Sequence, residues 1–268
     1  MDPVYTGKIA LIGTGNVAWH LCRLFTMAGL KVTAVLTRNR IKASGSQMAS
    51  LFPVPLTDDI GELRNSADLI IIAVGDAHIP QFAKRLAGYQ GYVVHTAGSC
   101  SLSVLTGASL KGGVLYPCQT LTRGRALEPD QIPFCIEASD PSLQAVLRSV
   151  VAKAGSPCFE LDSRQRLKLH LAAVLACNFA NHLWDRAGEF LGAAGIPFSL
   201  LHPLLAETLT KAVTLGPEAA QTGPAVRMDI DTLQKHLALL AHHQALAEIY
   251  RTVSESIIQK HTGKNVQL

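Results

Sequence analysis

Three features of the sequence predict an α/β fold: a doubly wound parallel sheet followed by an all-helical C-terminal domain. From Lys8 to about Leu161 short apolar runs alternate with helical patterns, as they do when parallel strands are covered by helices on both faces. The first of these runs ends in a glycine-rich turn. From Ser163 onward strand signals stop, and long apolar-periodic stretches follow one another with Gly-Pro punctuation.

Taken in order, strands are expected at residues 9–12, 32–36, 69–74, 92–95, 113–116, 133–137 and 158–160. A helix over 16–28 joins the first two and is stopped by Gly29. A second, over 140–154, is capped by Asp140, carries Pro141 at its first position and closes at Gly155. The helical stretches that follow are 164–191, 200–215 and 231–260. The boundary is therefore expected near 161–163, with a sheet domain over 1–161 and a helical domain over 162–268.

The composition narrows the class. Of 268 residues, 48% are hydrophobic and 16% charged, which fits a packed globular chain and excludes a disordered one. The formal charge of +4 is small, and the basic residues are scattered. That gives no case for nucleic acid or a membrane surface and suits a small, anionic ligand better. Six cysteines lie far apart without a Cys-x-x-Cys pair, so they read as reduced core thiols, with no metal site. The most apolar run, 69–74, is too short to span a bilayer, and a cytoplasmic location is expected.

The turn after the first strand reads Gly13-Thr14-Gly15-Asn16-Val17-Ala18, a Gly-x-Gly-x-x-Ala fingerprint between strand and helix. Gly13 permits the tight turn, Gly15 lets a diphosphate approach the backbone, and Ala18 lets the helix pack closely. This is the dinucleotide turn of a Rossmann domain, with the helix N-terminus facing the phosphates. About 20 residues on, where an NAD site places an acid against the ribose, stand Thr37, Arg38, Asn39 and Arg40. Two guanidinium groups there match a 2′-phosphate and favour NADP; the plainer alternative is a pair of solvated arginines.

Ligands in such a sheet sit beyond the carboxyl ends of the strands. Val74 ends one strand and Gly75, Asp76 and His78 follow it, while His95 ends another and Thr96, Ala97 and Gly98 follow that; both groups are assigned to the nicotinamide half. Tyr116 ends a third strand, Gln119 follows it, and both are assigned to the substrate side. In the long helix, Arg166, His170, Asn178, Asn181 and Asp185 fall within one arc at about 100° per residue, a polar seam on an apolar helix. It is a cleft wall, a buried hydrogen-bonding network or an ordinary solvated face, the last less natural for two amides and a His than for Lys and Glu, and His182 lies at its edge. Asp231 is expected to cap the last helix in a capping box with Gln234. Arg227, just before it, either holds a substrate carboxylate or pairs with Asp229.

Five segments together resemble a known family: the glycine turn at 13–18, His95-Thr-Ala-Gly-Ser99, Leu115-Tyr-Pro-Cys-Gln119, residues 170–182, and Thr222-Gly-Pro-Ala-Val-Arg227-Met-Asp229. The resemblance is to Rossmann-like proteins with the domain of unknown function 2520, relatives of pyrroline-5-carboxylate reductase, the F420-dependent NADP oxidoreductases and the β-hydroxyacid dehydrogenases. It implies a nicotinamide-dependent oxidoreductase whose helical domain forms a homodimer and closes over the cofactor. One departure stands out. β-Hydroxyacid dehydrogenases use a lysine four residues before an asparagine for proton transfer, and here Val174 precedes Asn178. Lys168 points to the other side of the helix.

The expected activity is hydride transfer between NADP(H) and a small carbonyl or imine substrate, with His170 as first choice of proton donor, Tyr116 as second, and Asn178 orienting the reacting atom. Gln119, Asn181, His182 and Arg227 are the candidate substrate residues. The alternative is a non-catalytic NADP-binding sensor or assembly protein. A reductase of F420 is a third reading, although no sequence feature is specific for a deazaflavin.

Overall fold

The computed structural model describes residues 5–38 and 54–268. Eight strands form one sheet: β1 (Lys8–Ile12), β2 (Lys31–Leu36), β3 (Leu56–Thr57), β4 (Leu69–Ile72), β5 (Tyr92–His95), β6 (Lys111–Pro117), β7 (Phe134–Ala138) and β8 (Cys158–Glu160). Their spatial order is β3-β2-β1-β4-β5-β6-β7-β8, and β1 through β6 run parallel. The order reverses between β1 and β4, which opens a crevice at the carboxyl ends of those two strands.

Alternating side chains explain the two-sided covering. Ile9 and Leu11 join Ile71, Val94 and Leu115 on one face, under α1 (Asn16–Met27) and α5 (Pro141–Lys153). Ala10 and Ile12 join Ile70, Ile72 and Val93 on the other, under α2 (Ile60–Ser66), α3 (Ile79–Arg85) and α4 (Ser103–Thr106). All four residues of β4 are fully buried, as a strand sandwiched between helical layers must be. The expected caps of α5 form: Asp140 Oδ1 accepts from the amides of Ser142 and Leu143, and Gly155 closes the helix at φ +76°.

The sheet departs from the expected one at its far edge. β7 pairs antiparallel with β6, Tyr116 lying opposite Cys135. A parallel neighbour needs a long crossover, usually a helix; the 118–133 connection holds only a short 3₁₀ turn, Pro129–Gln131, and comes straight back. The next connection does contain a helix, α5, and β8 accordingly runs parallel to β7.

The chain divides into two compact units, Met1–Asn178 and Phe179–Leu268. The stretch expected as one helix over 164–191 is α6 (Ser163–Ala173), a π-helical segment Val174–Phe179, and α7 (Ala180–Ala193). A π segment takes an extra residue per turn, so the single 100° phase behind the polar seam does not run through it. Arg166, a member of that seam, is a buried anchor at 1% exposure.

In the second unit, α8 (His202–Leu215) matches expectation. The final stretch is two helices, α9 (Ile230–Leu239) and α10 (Gln244–Thr262), broken where no Gly or Pro marks it. Asp229, not Asp231, caps α9: its carboxylate accepts from both the amide and the hydroxyl of Thr232, and these bonds hold its pKa below the usual carboxylate range. α9 and α10 pack through Leu233 and Ile258, with His236 Nδ1 2.7 Å from the Tyr250 hydroxyl.

Candidate functional site

The crevice at the sheet's reversal is a cleft of about 990 Å³. Gly13 turns the chain at φ +111°, and a Cβ there would stand 2.3 Å from the Ala73 carbonyl oxygen, so only glycine fits. Gly15 is different. A Cβ on it would meet nothing within 4 Å, so the fold alone does not demand glycine, whereas a ligand lying against the backbone does. Gly15 is also the N-cap of α1 and offers no side-chain oxygen to the first turn, which leaves amides free for an anion.

The expected cofactor residues Gly13, Thr14, Gly15, Asn16, Val17, Thr37, Arg38, Val74, Gly75, Asp76 and His78 all line this cleft. Asn39 and Arg40 lie outside the described residues. Arg38 lies two residues past the end of β2, exposed at the cleft, and would hold a 2′-phosphate. A bare helix N-terminus, a bare glycine and a guanidinium at this spacing fit NADP, which these residues would hold.

Sequence reasoning missed part of the lining. Gln81, Phe82 and Arg85 lie on one face of α3, with the Arg85 guanidinium 5.4 Å from the centre of the Phe82 ring. Their spacing was the available signal. Asp58 and Arg123 also reach the cleft, and Arg123 comes from the antiparallel return between β6 and β7, which nothing local announces.

His95, Thr96, Ala97 and Gly98 lie apart from that lining. His95 is fully buried; burial, helped by the charge of Arg166, holds its pKa at about 4, so it is neutral. Its Nδ1 accepts from the Ala97 amide at 3.2 Å. Gly98 packs against a second constellation: a Cβ on it would stand 2.6 Å from His170 Nδ1 and 2.9 Å from Tyr116 Cζ.

That constellation joins two of the expected catalytic residues. The Tyr116 hydroxyl, at the end of β6, lies 3.3 Å from His170 Nδ1 on α6. Burial raises the Tyr116 pKa well above that of a free phenol and keeps it protonated. α6 is fixed by a buried ion pair between Arg166 and Glu137, by Arg166 Nη2 donating to the Cys100 carbonyl at 2.5 Å, and by the Ser163 hydroxyl donating to Glu137 at 2.8 Å. Asp162 and Gln165 close a capping box before it.

The remaining candidates are dispersed. Gln119 is spent within its own loop, donating to the Gln131 carbonyl at 2.8 Å and accepting from the Thr120 amide. Asn178 stands exposed in the π-helical segment; Asn181, His182 and Arg227 stand exposed in the second unit. Among the described residues, no group of three or more His, Cys, Asp or Glu could hold a metal, and no helix is long and apolar enough to cross a membrane.

Comparison with known proteins agrees with this geometry. A family profile described as NADP oxidoreductase coenzyme F420-dependent matches residues 8–96, and the domain of unknown function 2520 matches residues 132–257. No curated protein sequence matches the chain. Among solved structures, a Bacteroides fragilis protein assigned to the NADP oxidoreductases is 34% identical, with a TM-score of 0.87 over 95% of this chain and 98% of its own. Two more distant structures share the fold: pyrroline-5-carboxylate reductase from Streptococcus pyogenes (14% identity, TM-score 0.62, 97% and 99% coverage) and an Aspergillus terreus reductive aminase in complex with NADPH and ethyl-5-oxohexanoate (15%, 0.70, 97% and 96%). With one third of its residues identical over nearly its whole length to the Bacteroides protein, and with one profile matching its N-terminal part and the other its C-terminal part, this chain belongs to the NADP oxidoreductases that carry the domain of unknown function 2520.

Proposed function

We propose that the chain reduces a small carbonyl or imine compound with NADPH, using Tyr116 and His170 as its proton-delivery pair. The observation that carries this reading is the 3.3 Å approach of the two side chains at the carboxyl edge of the sheet, the edge that also bears the glycine turn. Bound NADPH supplies the hydride. The Tyr116 hydroxyl donates a proton to the oxygen or nitrogen that gains electrons, and His170 returns a proton to the phenolate. Partial burial keeps Tyr116 protonated before reaction, and the imidazole offsets the cost of leaving it charged afterwards. In this reading Asn178, Asn181, His182 and Arg227 belong to the substrate side, Arg227 suiting a carboxylate.

The same reading takes the functional form to be a homodimer through the helical unit. Neither α7 nor α8 buries a single residue, and Trp184, Leu200, Leu204, Leu209 and Val213 are all exposed. These exposed apolar side chains support that reading, since apolar surface left uncovered is characteristic of interfaces. The compartment is the cytoplasm, where scattered thiols stay reduced.

The test is a panel of keto acids and cyclic imines incubated with NADPH and purified protein, followed by loss of reduced-nicotinamide absorbance. Oxidation with at least one substrate class is expected. Tight NADPH binding with no turnover across the panel sinks the reductase and leaves a cofactor sensor.

A further inference from the structure

The connection between β6 and β7 crosses the top of the sheet to α1 and is tied down there. His20 Nε2 lies 3.0 Å from the Thr122 carbonyl oxygen, and Arg23 donates to the Leu127 carbonyl at 2.7 Å. At the tip, Thr122-Arg123-Gly124-Arg125 makes a turn closed by the Arg125 amide on the Thr122 carbonyl, with Gly124 at φ +82°. The turn aims Arg123 at the dinucleotide loop. Its backbone amide donates to Asn16 Oδ1 at 3.3 Å, its Nη2 donates to the Thr14 carbonyl, and its buried Nε has no hydrogen-bond partner.

This placement is electrostatically incomplete. A guanidinium offers five donors, and one of its nitrogens bonds Thr14 while Nε bonds nothing. The charge also stands beside the N-terminus of α1, which is positive already, and a cation is disfavoured there. An anion between them removes both defects. We propose that Arg123 binds the diphosphate of the cofactor, adding a side-chain cation to the amides at the start of α1. This rests on the NADP reading and adds a binding residue to it, supplied by a distant part of the chain.

The two arginines of the cleft then have separable duties, Arg38 for the 2′-phosphate and Arg123 for the diphosphate. Calorimetry on the full chain with NADPH, NADH and adenosine 2′-monophosphate separates them. Arg123→Ala should weaken NADPH and NADH alike, by about tenfold or more, the scale of one charge-assisted hydrogen bond. It should change adenosine 2′-monophosphate, which has no phosphate on its 5′-oxygen, by less than about threefold. Arg123→Lys, which keeps the charge, should recover part of the loss, and an unchanged melting temperature excludes a folding defect. Arg38→Ala should weaken NADPH and the monophosphate while sparing NADH. Unchanged NADPH affinity in Arg123→Ala overturns the assignment. So does an equal loss for all three probes, which would make Arg123 a brace for the glycine turn alone. A wild-type chain that binds none of the probes defeats the cofactor reading itself.

Discussion

The Tyr116 hydroxyl and His170 Nδ1 meet at 3.3 Å across 54 positions of sequence, with Gly98 pressed against both rings. One partner ends a strand and the other rides a helix, so neither is placed by its neighbours in sequence. The helix is held by the buried pairing of Arg166 with Glu137, the latter at the end of the antiparallel strand β7. A buried pair of this kind defines geometry more than it adds stability.

Removing either member of the Tyr116–His170 pair should therefore reach turnover before binding. Tyr116→Phe and His170→Ala are each expected to lower kcat at least about tenfold, the small end of what a positioned acid contributes, with the Kd for NADPH unchanged. Pre-steady-state hydride transfer measures it. Equal turnover in a variant removes that residue from the chemistry.

Gly98→Ala tests the same geometry without deleting a functional group. The added methyl would lie 2.6 Å from the imidazole, a flexible side chain able to swing away. Stability should fall by about 1 kcal/mol or less. Yet kcat should drop severalfold because the pair is pried apart. A variant with wild-type kcat means that the separation of the two rings does not matter.

The two glycines of the cofactor turn should respond in opposite ways. Gly13→Ala drives a methyl into the Ala73 carbonyl at positive φ and should cost about 3 kcal/mol of stability. Gly15→Ala meets open space and should stay within about 1 kcal/mol, while NADPH affinity falls at least about tenfold. Urea unfolding and calorimetry on both variants decide it; a Gly15→Ala protein with intact affinity contradicts the diphosphate path.

His95 gives the fold an acid limit. Its pKa is about 4 in the folded chain against 6.5 unfolded, so the unfolded chain binds the extra proton first. Its contribution is complete above about pH 6.5 and is lost as pH falls through about 4, amounting to about 3 kcal/mol at 1.4 kcal/mol per unit. His20, also lowered by burial, acts in the same direction. In urea titrations between about pH 7 and pH 4, His95→Gln should show a shallower slope than wild type. Identical slopes would mean that His95 does not set this limit.

What could be read in advance was what is local. The glycine turn, the capped helix behind β7 and the alternation of buried strands each depend on residues adjacent in sequence, and each is found where expected. The strand reversal was hidden because β7 has the same apolar content in either direction. The π-helical segment carries no Gly or Pro, and the seam drawn through it assumed a uniform turn. At α9, Asp229 and Asp231 both have the composition of a cap, and the hydroxyl of Thr232 decides between them. Arg123 was invisible for the same reason as the Tyr116–His170 contact: its partner is 109 residues away.

The direction of β7 has a reach of its own. Because that strand runs back along β6, residues 118–133 are free to loop over two intervening strands and rest on the first helix. Turned the other way, the same stretch would be committed to a crossover on one face of the sheet, and Thr14 would lose its long-range neighbour. Lengthening this loop by insertion should thus leave strand pairing untouched and slacken the nucleotide end of the molecule, a distal route by which related chains can retune their grip on the coenzyme.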